Sequence, residues 1–405
     1  MGTIRIKDGI LTIGDFKSVY DMLNNTPSDD SGLDSEDRLF GSYWLSNPWD
    51  SCFIPDFSKT ARVWATAYRD MRWEKRYKLR EKEAQEAIKR EERKAQAEAN
   101  GEEFKEEIPE SDCVPEEFFD DYDYYMAKFH IDGVVSMTPA IIQMMLEEVG
   151  EIELSDGTKM DATNSTRVLQ HEIYMKYFSL ENMTDESGWR SDLMFSETAK
   201  TVMKKFLGKF EIGKFSYYYK LLKSGIDQHI INIWMEDPEE QKIVEEANAA
   251  GALSYNENDP FTGIYFSSAD PCKLGWYLDI TPQISEPVEN PDGSKTYDVT
   301  VELTNTLTYE ETRDFSWYII GKNNGSIYAY VHFLAPAGGS LDNIYADSRL
   351  SIMHGTYHGL DLAYSYSLYI DPQETITVHY QVTTAPGVEA PLRAVTTPTL
   401  TAYRN

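Results

Sequence analysis

The sequence predicts an α/β domain followed by an all-β sandwich. Three observations carry that reading. Between about residues 129 and 251, apolar runs of strand length alternate with amphipathic segments of helix length, which is α/β spacing. After Asn256 the texture changes to alternating segments rich in Tyr, Val, Thr and Ile, with Asp292-Gly293 and Gly338-Gly339 among the breaks and no helix signal. From Trp73 to Glu107, Lys, Arg and Glu dominate, and Leu79 and Ile88 are the sole large aliphatics between Glu74 and Lys94. The expected organisation is an α/β domain over 1–255 with a charged helical insertion at about 73–110. A sandwich over 256–390 and an extended tail over 391–405 follow.

Near the start, Ile4, Ile6, Ile10, Leu11 and Ile13 alternate about Asp8-Gly9, a hairpin signature. Residues 24–55 are rich in Ser, Asp, Pro and Gly, carry Tyr43, Trp44 and Trp49, and read as loop. Asp56 to Met71 reads as a helix with Ser58 as its cap and Ala61, Val63, Trp64, Ala67 and Tyr68 as apolar surface. The charged stretch has no apolar stripe to bury. Its Glu74–Lys78 and Glu86–Arg90 pairs stand at i,i+4 in the favourable order, so it predicts an exposed single helix in a surface loop, ending at Asn100-Gly101.

The central stretch, Phe129 to Tyr177, reads as strand, helix, hairpin, helix. Ile131 to Met137 has the apolar content of an interior strand. Thr138 is the expected cap of the next helix, and Pro139 suits its first turn, where a missing N–H costs nothing. Ile141, Ile142, Met145 and Val149 form its buried face, and Gly150 stops it. Two short strands flank Asp156-Gly157, and a second helix opens near Thr163 with Val168, Leu169, Ile173 and Tyr177 on one side. Helices over Trp189–Phe210 and Tyr217–Leu222, an interior strand over His229–Met235 and a helix capped by Asp237 follow. The sandwich strands are expected at Trp276–Ser285, Lys295–Thr304, Ser326–Leu334, Asp361–Ile370 and Thr375–Thr383.

Composition narrows the function classes. Thirty-eight basic against 68 acidic residues give a net charge of −30, a field that repels nucleic acid and anionic headgroups from the surface as a whole. The 27 Tyr and 8 Trp lean toward sheet-rich structure and extracytoplasmic surfaces. Cys52, Cys113 and Cys272 are too few and scattered for a disulfide framework or a zinc site, although Cys52 and Cys113 flank the charged insertion and could pair. No apolar run approaches the roughly 18 residues of a membrane span.

Few residues point to chemistry. His171-Glu172 lacks the second His at i+4 that would put two zinc ligands on one helix face, so an ordinary surface pair is expected. Glu147, Glu148, Glu151 and Glu153 read as solvated carboxylates near a helix end. The run Glu116 to Tyr125 lacks the spacing and Gly of a calcium loop. No metal or cofactor site is predicted. Arg190 beside Trp189 is the candidate contact for an anionic ligand, with Arg167 and Lys200 nearby in sequence.

The central stretch resembles the bacterial family known as domain of unknown function 4012. Its motifs appear here as Asp132-Gly133-Val134-Val135, Pro139 to Gly150, Asp156-Gly157 and Glu172-Ile173-Tyr174. Two later segments, MEDPEEQKIVEEANAAG and Lys273-Leu274-Gly275-Trp276-Tyr277, fit as well. Family members carry a Leu-Arg-x-x-Gly-Gly-Phe strand and a membrane helix ahead of the first hairpin. The resemblance therefore implies an N-terminally incomplete copy of a membrane-anchored, extracytoplasmic envelope protein. The element order is also similar to the LytR-CpsA-Psr enzymes, which transfer glycopolymers from polyprenyl-pyrophosphate carriers to peptidoglycan with magnesium. Where those enzymes display an Arg-x-Arg helix and a second Arg cluster, this chain has Gln170-His171-Glu172-Ile173-Tyr174 and then Arg190. The expectation is a LytR-CpsA-Psr-like α/β/α core without the chemistry, binding or organising cell-wall polymer or protein partners. Transferase activity through Arg190 and a surface adhesin are the alternatives.

Overall fold

The computed structural model describes residues 2–7, 10–14, 16, 33–41, 47–100, 130–209, 211–348 and 350–403; side chains of 7, 10, 11, 70–88, 90, 212 and 403 lie outside the description. The run Glu116 to Tyr125, Tyr43, Trp44 and any pairing of Cys113 also fall outside it. The architecture is mixed α/β with a β-rich C-terminal region.

Strands β1 (Ile4–Lys7) and β2 (Ile10–Ile13) pair antiparallel, as the Asp8-Gly9 pattern predicts. Helix α1 runs unbroken over Phe57–Asn100. The expected first helix and the charged helix are one element, because no Gly or Pro interrupts the span. Its first turn is held by Asp56, whose Oδ1 accepts the Ser58 N–H at 3.0 Å, so Asp56 replaces Ser58 as the cap.

Strand β3 (Gly133–Met137) pairs antiparallel with β6 (Ile231–Met235). Among the described residues the two form a ribbon by themselves, which corrects the expectation of interior strands. Val135 and Met137 are exposed on it. Gly133 is needed here, since a Cβ would meet the Trp234 carbonyl oxygen at 2.6 Å. Helix α2 (Ala140–Val149) buries Ile141, Ile142, Met145 and Val149 as predicted and ends at Gly150, whose φ is +80°. Thr138 makes no side-chain cap; its carbonyl accepts the Ile141 N–H instead. The hairpin of β4 (Ile152–Glu153) and β5 (Lys159–Met160) follows.

Helix α3 begins at Ser165–Arg167, passes through a π-helical turn at Val168–Glu172, and continues as Ile173–Phe178. Helices α4 (Ser187–Gly208), α5 (Phe215–Asp227) and α6 (Pro238–Glu246) complete this region, with Asp237 capping α6 as expected. Met145, Leu146, Ile152, Met160, Leu169, Ile173, Val202 and Ile231 lie in its core.

The C-terminal region holds two five-stranded sheets. One orders β12 (Ser340–Ala346), β15 (Thr375–Thr383), β10 (Lys295–Asn305) and β8 (Leu278–Ile284), with β9 (Val288–Glu289) on β10. The other orders β13 (Met353–Tyr357), β14 (Leu360–Ile370), β11 (Ile327–Leu334), β7 (Phe261–Ser268) and β16 (Arg393–Thr396). Val299, Val301 and Leu303 of the first sheet share one hydrophobic cluster with Ala329, Val331 and Phe333 of the second, which is compatible with the expected sandwich. Two expectations change. A one-turn helix, α7 (Trp317–Ile320), stands where no helix signal was read, and β16 pairs parallel with β7 from within the expected tail.

Candidate functional site

A cleft of about 390 Å³ opens between α1, the β3–β6 ribbon and α6. Arg62, Ala65, Thr66 and Arg69 stand at i, i+3, i+4 and i+7 of α1 and so line it as one helical stripe. His130 and Ile131 enter from the lead-in to β3, and Trp234, Met235 and Glu236 from the end of β6. Pro238 and Gln241 close it from α6. Gln241 is fixed in place: its Oε1 accepts the Met235 N–H at 2.8 Å, and its Nε2 donates to Glu245 at 3.2 Å. His130 Nε2 lies 2.9 Å from Glu236 and 3.5 Å from Asp132. The volume falls in the range of small-ligand sites. Two guanidinium groups about two helical turns apart, beside an indole and an imidazole, suit an extended anion such as a phosphodiester or carboxylate polymer. The lining contains no serine or cysteine.

A second cluster lies where the N-terminal loop meets the β-rich region. Asp37, in a 3-10 turn (Asp37–Leu39), is fully buried. Its Oδ1 accepts from Lys59 Nζ at 2.6 Å and from the Tyr357 hydroxyl at 2.7 Å. Burial alone would raise the Asp37 pKa; hydrogen bonds from Lys59, the peptide region of Asp34 and Tyr357, with the Lys59 charge, hold it below the usual carboxylate value. Burial, then bonding to Asp37, pushes the Tyr357 hydroxyl upward. Asp34, Asp37 and His358 could each turn one ligand atom toward a common metal. Lys59 Nζ, however, is 2.6 Å from both Asp37 Oδ1 and His358 Nε2, so an ammonium already holds the cation position. The cluster is a lysine-centred lock between α1 and the β13–β14 turn.

The residues expected from the sequence are found apart from the cleft. Arg190 donates to Glu186, the residue that precedes α4, at 2.7 Å. Arg167, on α3, pairs with Glu172 at 3.1 Å. Lys200 lies further along α4, ten residues and about 15 Å of helix rise beyond Arg190. Trp189 is 66% exposed. Arg190, Arg167, Lys200 and Trp189 are not part of the cleft lining. His171 is a larger departure from expectation. It is half-buried, its Nε2 stands 3.0 Å from the Tyr277 hydroxyl, and its ring packs against Trp276. Burial lowers its pKa, partly offset by Glu311 and Glu172. On the same helix Tyr174 and Phe178 reach toward Tyr318, and Lys273 Nζ lies over the Tyr174 and Tyr318 rings. So α3 joins the two regions. Glu148 pairs with Lys214 at 2.7 Å, and Glu151 and Glu153 share Lys159 at 3.6 Å, so these carboxylates are ion-paired surface groups. Cys52 and Cys272 are free thiols.

The cleft escaped sequence reading because Arg62 and Arg69 sit in a helix crowded with charge, where their common stripe carries no distinguishing composition. The signal present was the small pair Ala65-Thr66 between them, which leaves room for a ligand.

Residues 109–174 match the family described as "Protein of unknown function (DUF4012)". The match supports the DUF4012 resemblance over the stretch that carries Asp132-Gly133, Pro139 to Gly150 and Asp156-Gly157. No curated protein matches the chain. No helix among the described residues is long and apolar enough to cross a membrane.

Proposed function

We propose that the protein is a non-enzymatic component of the cell envelope, facing outward, that holds an anionic cell-wall polymer in the cleft between α1 and the β3–β6 ribbon. The observation that carries this reading is the placing of Arg62 and Arg69 on one stripe of α1 beside Trp234, with Glu236 the one lining carboxylate and set against His130, in a chain whose net charge is −30. Such a chain repels polyanions on average, so a cleft with this lining is a local exception suited to one of them. The envelope assignment is inferred from the resemblance to the DUF4012 family, and the α/β region is read as a LytR-CpsA-Psr-type core without its arginine clusters. Arg190 and Arg167 are each engaged with a neighbouring glutamate, which disfavours their use as a pyrophosphate clamp.

Incubation with a labelled polyprenyl-pyrophosphate glycan and peptidoglycan tests the proposal. Retention of glycan without transfer is expected; magnesium-dependent transfer of label overturns it. A surface adhesin is the second reading, favoured by the stack of Tyr328 on Tyr369, 4.5 Å apart at 6°, with Tyr369 49% exposed. Adhesion that survives disruption of the cleft and is lost in Tyr369→Ser would support it.

A further inference from the structure

We propose that the corner made by the end of α4 and by α5 lies against an anionic lipid bilayer. The surface is distinct from the cleft and does not depend on the polymer-binding reading. Helix α5 turns Tyr218, Gly225 and Ile226 inward, yet Phe215, Tyr219 and Leu222, at i, i+4 and i+7, are 64, 57 and 41% exposed. With Ile226 at i+11 they make one apolar stripe along a helix about 20 Å long, buried at its Ile226 end and left uncovered by any described residue over Phe215, Tyr219 and Leu222.

The charge around this stripe reverses that of the chain. From Lys200 to Lys223 there are seven lysines and one acidic residue, Glu211. Some of that charge is engaged: Lys214 pairs with Glu148, Lys223 with Asp227, and Lys209 donates to the carbonyls of Glu148 and Val149. Glu147 also faces this corner, near Tyr217. Lys204, Lys205 and Lys220 are exposed and make no ion pair among the described residues.

Aromatic and leucine side chains flanked by free lysines match the interfacial zone of a bilayer, where rings enter the headgroup boundary and ammonium groups meet lipid phosphates. The net charge of −30 does not forbid this, because screening limits its reach to about 8 Å at physiological ionic strength. A second copy of the chain is a poorer occupant, since it would set the two lysine clusters against each other. A soluble polyanion would use the lysines and leave Phe215, Tyr219 and Leu222 in water.

The test is flotation of the full chain with vesicles of phosphatidylglycerol mixed with phosphatidylcholine, and with phosphatidylcholine alone. Binding to the anionic vesicles only is expected. It should weaken by roughly tenfold or more both in F215S/Y219S/L222S and in K204E/K205E/K220E, each with an unchanged circular dichroism spectrum. Absence of binding to anionic vesicles overturns the proposal. So does loss in the lysine variant alone, which marks a polyanion surface, or conversion of a dimer to a monomer by the stripe variant in sedimentation, which marks a second copy.

Discussion

Lys59 Nζ stands 2.6 Å from Asp37 Oδ1, and the carboxylate it meets has no exposed surface. The pair ties the start of α1 to the N-terminal loop, and Tyr357 and His358 extend the tie to the β-rich region. Lys59→Met would leave a buried charge without its counter-ion, a loss of about 3 kcal/mol in urea unfolding near neutral pH. The pH dependence has a definite sign. The folded pKa of Asp37 lies below its ordinary 3.8, so its contribution is present above that value and is lost as pH falls through the folded one. In Lys59→Met the Lys59 bond and charge are lost while the bonds from the Asp34 N–H and the Tyr357 hydroxyl remain, so burial weighs more heavily and the Asp37 pKa rises above that of the parent chain; the deficit should shrink on acidification as the carboxyl takes up a proton. A deficit independent of pH would contradict this account.

His332 behaves in the opposite way, as a histidine buried neutral. Its Nε2–H donates to the Leu39 carbonyl at 2.7 Å, and its Nδ1 is buried without a partner. Burial lowers its pKa to about 4, partly offset by the Leu39 bond. Between about 6.5 and 4 the unfolded chain binds a proton that the folded chain refuses, so stability falls as pH drops through that window by up to about 3 kcal/mol. His332→Phe keeps the stacking on Phe40 and leaves Leu39 bonded to the Tyr366 hydroxyl. Unfolding curves of the variant should lose this acid sensitivity; an unchanged pH profile would place its origin elsewhere.

Helix α3 was legible as an amphipathic element, but its second face was not. Val168, Leu169 and Ile173 were predicted apolar and enter the first core, whereas Tyr174 and Phe178 pack toward the other region. One sequence period cannot show that a helix serves two cores, nor that a π-helical turn at Val168–Glu172 rotates its later residues. His171 accordingly read as a surface residue, while its partner Tyr277 lies 106 positions away. Caps and turns such as Gly150, Gly157 and Asp237 were legible because their chemistry is local. The cleft and the Lys59 lock were not, because each joins segments distant in the chain.

The His171–Tyr277 contact can be measured directly. A double-mutant cycle with His171→Phe and Tyr277→Phe should return a coupling of about 1 kcal/mol, the net worth of one part-buried hydrogen bond. Additive losses would show that the contact does not join the two regions energetically.

The central claim is that Arg62 and its neighbours bind a polyanion. Titration calorimetry with poly(glycerol phosphate), against an uncharged glycan as control, tests it on the intact chain. Arg62 is exposed and makes no ion pair among the described residues, so Arg62→Glu reverses charge in the cleft without removing a structural contact. Binding that weakens with salt and falls by roughly tenfold in Arg62→Glu is the predicted result. Equal affinity of the variant and the parent chain, or no preference for the charged polymer, would contradict the assignment.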